Sequence, residues 1–226
     1  MTDPGSLALL TLLLPAVSFV LLAVAFPLRR SGRPAAYVSV LGAAGALLCA
    51  LQAYRFSTGE GFARILWEWL PAEAGPLATV GVLADADSTL MLILVTGVSF
   101  LVQVYSLGYL ADEPPASLGR YYAYQSLFAF SMIGLVLAPN FVQLFVCWEL
   151  VGLCSYLLIG YWYQRPEAAR AAVKAFWTTK AGDVGLLIGI VLLWRQAGTF
   201  DFTRLLQLVD SNMHPLEGLG VITFCI

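Results

Sequence analysis

Residues 140–163 read NFVQLFVCWELVGLCSYLLIGYWY, an apolar run with one ionisable side chain, Glu149, near its middle. About 20 apolar residues are enough for a helix to cross a bilayer, so the run predicts a transmembrane helix. Glu149 is the tenth residue of the run, which at about 1.5 Å per residue places it near the bilayer midplane. A charge at that depth costs about 2.5–3.5 kcal/mol on insertion scales. The chain must therefore offset this cost by pairing, by water or by protonation.

The composition of the whole chain indicates a membrane protein. Of its 226 residues, 60% are hydrophobic and 12% are charged, and the mean hydropathy is +0.81. A typical soluble domain has about 45–50% apolar and about 25% charged residues. We therefore predict an all-α, polytopic helical bundle. Its six complete spans are predicted at roughly 6–28, 36–54, 88–110, 121–138, 140–163 and 171–194, with a seventh beginning near Leu216.

Local signals predict how these spans are joined. Pro139 and Asn140 leave a two-residue hinge between the fourth and fifth spans, which predicts a tight antiparallel hairpin with Asn140 as an N-cap. Asp87 and Ser88 precede the third span and are candidate caps for its free amides. The longest polar connection, residues 55–87, contains two tryptophans, two prolines and four glycines. That composition favours a short hairpin or an interfacial segment.

The distribution of Lys and Arg predicts the orientation. Cytoplasmic loops carry an excess of these residues. The loops after spans one, three and five hold seven of them, whereas the loops on the opposite side hold four. We therefore expect a multi-pass protein of a bacterial inner or plasma membrane, with a non-cytoplasmic N-terminus. The seven are Arg29, Arg30, Arg33, Arg120, Arg165, Arg170 and Lys174, and the four are Arg55, Arg64, Arg195 and Arg204.

Three ionisable residues fall inside the predicted spans. They are Glu149 in span five and Lys180 and Asp183 in span six. Lys180 and Asp183 are three residues apart, on one helix face, so they can neutralise each other as a structural pair. A lone buried carboxylate is instead suited to take and release protons, and the three residues together would form a proton relay. A third alternative is that this part of the chain forms a re-entrant loop. The residues alone leave these three interpretations open.

Glycines flank the three ionisable residues. Gly152 lies near Glu149, and Gly182 and Gly185 lie beside Lys180 and Asp183. Small residues allow transmembrane helices to approach closely. We expect Gly152, Gly182 and Gly185 to support helix packing near the site, although plain packing without a role in transport would explain each of them equally well.

Other kinds of site have little support in the sequence. Cys49, Cys147, Cys154 and Cys225 all lie in apolar runs without a CxxC pattern, so we interpret them as small apolar side chains. The single histidine, His214, is adjacent to a proline in a polar loop. There is no GxGxxG or P-loop context and no large basic tract. We expect no catalytic residue, metal site, cofactor site or nucleic-acid partner in this chain.

Several phrases of the sequence are similar to one membrane protein family. They are SMIGLVLAPN, WELVGLCSYLLIG and KAFWTTKAGD, within a strong match over residues 81–195. In these phrases the chain resembles subunit L (subunit 5) of proton-pumping NADH:quinone oxidoreductase, respiratory complex I. The resemblance implies an antiporter-like fold of two inverted five-helix repeats. It assigns proton transfer to Glu149, Lys180 and Asp183. Lys180 departs from the family pattern, which has Arg more often at this position.

The resemblance also implies that this chain is the N-terminal portion of a longer protein. Residues 1–80 would hold the first two helices and a connecting non-cytoplasmic segment. Residues 81–226 would begin the antiporter-like proton-channel domain and stop before the lysine of its seventh helix. The expected partners are the other membrane-arm subunits, the lipid bilayer and protons. NADH, flavin, iron–sulfur clusters and quinone are expected in partner subunits, not in this chain.

The predicted function is therefore proton translocation coupled to electron transfer, carried out as part of an NADH:quinone oxidoreductase. One alternative is the large subunit of a multi-subunit Na⁺/H⁺ antiporter, or a related subunit of a hydrogenase or an inorganic-carbon uptake complex. A second alternative, from a different class, is a non-conducting structural membrane subunit.

Overall fold

The computed structural model describes residues 4–56, 62–70 and 78–210. These residues form long helices and one two-stranded sheet. The elements in chain order are α1 (Pro4–Val24), α2 (Phe26–Arg29), α3 (Arg33–Phe56), β1 (Phe62–Leu70), β2 (Ala78–Ala84), α4 (Ala86–Tyr109), α5 (Pro115–Val136), α6 (Phe141–Ile159), α7 (Pro166–Ala197) and α8 (Phe202–Asp210).

Five helices of the described residues are long and apolar enough to cross a membrane. They are α1, α3, α4, α6 and α7, and they agree with five of the six predicted spans. The predicted fourth span corresponds to α5, which has 22 residues but contains no 18-residue stretch as hydropathic as those of the other five. The count of six spans therefore stays a prediction. The predicted seventh span and His214 lie outside the described residues.

Helix α5 lies at the centre of the bundle, against α1, α3, α4 and α6. This position explains its lower hydropathy. Its polar side chains face neighbouring helices instead of lipid, and Tyr122, Gln125, Ser126 and Ser131 are all buried. Polar groups inside a membrane are stabilised when they hydrogen-bond across helices. A helix surrounded by protein can therefore carry more of them than a helix at the lipid surface.

A buried polar network joins α5 to α3 and α4. The hydroxyl of Ser39 on α3 lies 2.8 Å from Oε1 of Gln103 on α4 and 2.6 Å from the hydroxyl of Ser126 on α5. The Tyr122 hydroxyl donates to the backbone carbonyl of Gln103 at 3.0 Å. These bonds fix how the three helices are rotated relative to one another.

Small residues allow α3 to pack closely. Its buried face consists of Ala35, Ala36, Ser39, Gly42, Ala43, Ala46, Ala50 and Ala53. These positions recur every three or four residues, which places them on one side of the helix. Because small side chains let helix backbones approach in the bilayer, α3 can pack against α1, α4 and α5 together.

The longest polar connection contains a β-hairpin. β1 and β2 pair antiparallel, from Phe62 opposite Ala84 to Leu70 opposite Ala78. The inner strand, β2, contacts α1, α4 and α6, and the side chain of Gln143 on α6 bonds both backbone groups of Gly81 at 2.9 and 3.0 Å. The hairpin therefore lies against one end of the bundle as an ordered part of the fold.

The helix caps are partly as predicted. The Asn140 side chain accepts from the backbone N–H of Gln143 at 2.9 Å, so Asn140 is the N-cap of α6. The cap of α4 is Asp85, which accepts from the N–H of Ser88 at 2.7 Å. The prediction of Asp87 and Ser88 as the caps was wrong, because β2 ends at Ala84 and the helix begins two residues earlier than predicted. The hydrogen bond from Ser88 lowers the pKa of Asp85.

Candidate functional site

The three predicted site residues lie on two adjacent antiparallel helices. Helix α6 contacts α5 on one side and α7 on the other. Its buried cysteines, Cys147 and Cys154, are seven residues apart and so share one face. Cys147 packs at Gly134 of α5, so this face is directed toward α5. Both cysteines are free, in agreement with their interpretation as apolar packing residues.

Glu149 and Lys180 form an ion pair between the two helices. Glu149 is the ninth residue of the 19-residue α6, and Lys180 is the fifteenth residue of the 32-residue α7. Both therefore lie near the middle of their helices. The two side chains are 30% and 25% exposed. The ion pair thus directs Glu149 at the neighbouring helix, and both side chains stay partly exposed in the described part of the chain.

Lys180 is shared between two carboxylates. Its Nζ lies 3.2 Å from Oδ2 of Asp183 on the same helix, in addition to its contact with Glu149. The Asp183 side chain is 8% exposed and is the most buried of the three. The structural pair predicted from the i,i+3 spacing is therefore present. Glu149 is not left alone, as it would be if Lys180 were engaged by Asp183 only.

A fourth residue, Trp148, completes this group. Its indole Nε1 donates to Oδ1 of Asp183 at 2.8 Å. The resulting chain runs from Glu149 to Lys180, Asp183 and Trp148, so that its two ends lie on α6 and its two middle members on α7. Sequence reasoning missed Trp148 because it was counted among the apolar residues of the span. Its depth was an available signal, since tryptophans of membrane proteins are enriched at the interfaces and not at the midplane.

Two grooves flank the contact between α6 and α7. The Glu149 and Lys180 side chains line one of them, together with Phe145, Leu153 and Phe176. The second, with a volume of about 580 Å³, is lined by Trp148, Asp183, Gly152, Gly182, Thr178 and Ser155, among others. The chain of four residues thus connects one groove with the other around the helix contact.

The glycines near the site lie mostly in open space. A Cβ added at Gly152 or Gly182 would meet no atom within 4 Å, and both glycines line the second groove. Gly185 is partly buried. The role of Gly152 and Gly182 in helix packing therefore stays a prediction. Among the residues that the structure describes, no group of three or more His, Cys, Asp or Glu residues is arranged to hold a metal ion.

Long apolar helices packed in a bundle indicate a polytopic membrane protein, with an acidic and a basic residue paired in the middle of two neighbouring helices. Solved structures agree with this fold. The structure of the Mrp complex from Dietzia sp. contains a chain that matches with a TM-score of 0.75 and 29% identity, over 95% of this chain and 22% of that one. An archaeal membrane-bound sulfane sulfur reductase contains a chain that matches with a TM-score of 0.77 and 24% identity, over 96% of this chain and 43% of that one.

Two family models match the sequence. Residues 69–122 match the model described as NADH-ubiquinone oxidoreductase (complex I), chain 5 N-terminus. Residues 138–226 match the model described as NADH:quinone oxidoreductase/Mrp antiporter, TM. NAD(P)H-quinone oxidoreductase chain 5 of Synechocystis sp. is 47% identical over 189 residues, and subunit 5 of the chloroplast enzyme of Marchantia polymorpha is 45% identical over 148 residues.

The chain belongs to the chain 5 (subunit L) family of NAD(P)H-quinone oxidoreductases, and it matches the N-terminal part of that family. This confirms the resemblance seen in the sequence. The alignments cover 84% of this chain with Synechocystis and 66% with Marchantia. The chain spans about a quarter of the length of these relatives, 27% and 21% respectively.

Proposed function

We propose that this chain takes part in proton translocation as a membrane-arm subunit of an NAD(P)H-quinone oxidoreductase, in which Glu149, Lys180 and Asp183 transfer protons. The observation that carries this proposal is the position of Lys180 between two carboxylates at the middle of two helices. Ionisable residues are rare in a membrane interior, and those that occur there commonly mark proton and ion pathways. The proposal applies to the full-length subunit within its complex.

The arrangement supports a proton-loading step at Glu149. Lys180 holds the Glu149 carboxylate in its charged form while the two are in contact. If Lys180 is drawn toward Asp183, Glu149 loses its counter-ion in a medium of low dielectric, and protonation becomes favourable. Movement of Lys180 back toward Glu149 favours release of that proton. A lysine is suited to this role because its ammonium group is a compact charge on a flexible stem.

The remaining parts of the proposal concern the whole complex. The redox chemistry belongs to partner subunits, which hold NADH, flavin, iron–sulfur clusters and quinone, and this chain carries no redox site of its own. The partners of this chain are other membrane-arm subunits and the lipid bilayer. We also propose a bacterial inner or plasma membrane location with a non-cytoplasmic N-terminus.

The second candidate function is that of a large subunit in a multi-subunit cation/proton antiporter. It is supported by the description of the model that matches residues 138–226, which includes the Mrp antiporter, and by the fold match to a chain of the Mrp complex. A structural membrane subunit without conduction is the third candidate. It is compatible with the ion pairs but gives no reason for placing three charges at mid-depth.

The test replaces Glu149 with Gln in the full-length subunit, assembled in its complex in the membrane. Gln keeps the shape of the side chain but cannot load a proton. We expect near-normal subunit levels and a loss of most proton translocation per electron pair. Glu167→Gln is the matched control, because Glu167 is an exposed glutamate in the first turn of α7. It should leave both quantities unchanged.

The alternatives predict other outcomes for the same two measurements. If Glu149 is only a structural partner of Lys180, its removal leaves Lys180 with incomplete compensation from Asp183, and breaking a buried ion pair costs about 3–5 kcal/mol. Subunit level and proton translocation would then fall together. Normal levels with normal translocation would refute both roles. Transport driven by a sodium gradient, without electron transfer, would favour the antiporter candidate.

A further inference from the structure

We propose that Trp148 is a positioning residue that sets how Lys180 is divided between Glu149 and Asp183. This inference rests on the proposed function and adds a residue to it. Trp148 does not itself transfer a proton, because its indole N–H only donates a hydrogen bond. It acts through Asp183, to which its indole nitrogen donates a hydrogen bond of 2.8 Å.

The two carboxylate oxygens of Asp183 have different partners. Oδ1 accepts the hydrogen bond from Trp148, and Oδ2 lies 3.2 Å from Nζ of Lys180. The two donors therefore engage opposite oxygens of one carboxylate that is 8% exposed. Trp148 fixes the rotation of this carboxylate, with Oδ2 directed at Lys180. Without it, Asp183 is free to turn and to engage Lys180 through either oxygen.

Glu149 and Asp183 compete for Lys180. The hydrogen bond from Trp148 to Oδ1 stabilises the negative charge of Asp183 independently of Lys180. The indole N–H only donates and does not titrate, so this bond can persist whichever carboxylate holds Lys180. Trp148 thereby keeps Lys180 available to Glu149. Its loss shifts Lys180 toward Asp183 and leaves Glu149 without a cation.

The geometry of α6 separates the side chain of Trp148 from that of Glu149. Trp148 and Glu149 are consecutive, so their side chains leave the helix about 100° apart. They line different grooves on the two flanks of α7. Lys180 and Asp183 bridge these flanks. Trp148 is therefore adjacent to Glu149 in sequence but is linked to its carboxylate only through Lys180 and Asp183 of the neighbouring helix. Any shift of α7 relative to α6 alters both ends of this chain of four residues together.

The test uses the full-length subunit in its complex and changes position 148 in two ways. One variant is Trp148→Phe. The other carries 3-benzothienylalanine, an isosteric tryptophan analogue in which sulfur replaces the N–H. The control is Trp177→Phe, the same change on α7 at a side chain that is 70% exposed. The measurements are subunit level, proton translocation per electron pair, and the pH profile of translocation. A hydrogen bond to a charged group shifts such equilibria by a factor of ten or more.

We expect both changes at position 148 to shift the pH profile of proton translocation by about one unit and to lower translocation several-fold. The subunit that contains the analogue should be present at its normal level. Trp177→Phe should change neither. If the analogue behaves as the natural residue, the N–H has no positioning role and the inference is overturned, whatever Trp148→Phe does to packing. Normal translocation in Glu149→Gln would instead refute the proposed function itself, so the two failures are distinguishable.

Discussion

At the scale of single residues, Asn140 shows how much one polar side chain can organise. It is 2% exposed and caps α6 through its Oδ1. Its Nδ2 donates to the backbone carbonyl and the hydroxyl of Thr79 on β2, at 2.7 and 3.2 Å. One residue thus sets the start of the helix that carries Glu149 and also attaches the hairpin to it.

We expect Asn140→Ala to destabilise the protein by roughly 2 kcal/mol or more. The loss of the cap contributes about 1 kcal/mol, and the buried groups of Thr79 left without a donor contribute about 1–3 kcal/mol. Asn140→Ser keeps a capping oxygen and lacks the Nδ2 donor, so its effect should be intermediate. Thermal unfolding of the purified protein in detergent measures both. An alanine variant as stable as the natural protein would contradict this account.

The residues that sequence reasoning predicted are those whose role depends on local chemistry. Asn140 was predicted as a cap because a capping side chain and its N–H partner are three residues apart. Glu149, Lys180 and Asp183 were predicted because a charge in an apolar run stands out. Their assembly, and the inclusion of Trp148, depend on which faces of α6 and α7 meet, which no local pattern specifies.

At the scale of elements, the close approach of α5 to the connection after α1 depends on a glycine. A Cβ at Gly119 would overlap the backbone carbonyl of Arg29, with its carbonyl carbon only 2.8 Å away. Backbone atoms cannot rotate out of the way as a flexible side chain can. Gly119 therefore allows α5 to lie against the turn that joins α1 to α3.

We expect Gly119→Ala to destabilise the protein by about 1–3 kcal/mol, the usual range for overpacking. Gly108→Ala is the matched control, because Gly108 is also helical and a Cβ there would meet no atom within 4 Å. Since alanine favours a helix interior by up to about 1 kcal/mol over glycine, the control should be neutral or stabilising. The midpoint of thermal unfolding should therefore fall in Gly119→Ala and stay unchanged or rise in Gly108→Ala. Equal shifts would refute the close contact.

Hydropathy predicted five of the elements well and described α5 less well. A helix at the lipid surface must be apolar around most of its circumference, so its sequence is diagnostic. Helix α5 is enclosed by four other helices, so the residues that suit it depend on the polar groups of those helices that it contacts. The hairpin was predicted only in outline, since its pairing register depends on contacts with α6 and the other helices.

At the scale of the whole molecule, the structure separates the connections into two ends. At one end lie the β-hairpin, Asn140 and Asp201, which forms a bridge with Asn140. At the other end, Gly119 contacts Arg29, and Trp162 donates to Glu113 at 2.8 Å. The connections after α1, α4 and α6 are therefore on one side, as the alternation of the predicted spans requires.

The excess of Lys and Arg predicts that this second end is cytoplasmic. Cysteines introduced at exposed positions report the side on which each end lies. Gln164→Cys, in the connection after α6, should react with a membrane-impermeant maleimide only after the membrane is opened. Ala63→Cys, on the exposed strand β1, should react in intact cells. The reverse pattern would contradict the predicted orientation.

The central claim is that Glu149 loads and releases a proton during turnover, and it can be measured at the carboxyl group itself. Infrared difference spectra of the assembled complex, recorded with and without electron transfer from NADH, report carboxyl groups whose protonation changes. We expect a protonated-carboxyl signal that disappears in Glu149→Gln and persists in Glu167→Gln. A spectrum in which Glu149→Gln leaves every carboxyl signal unchanged would contradict it.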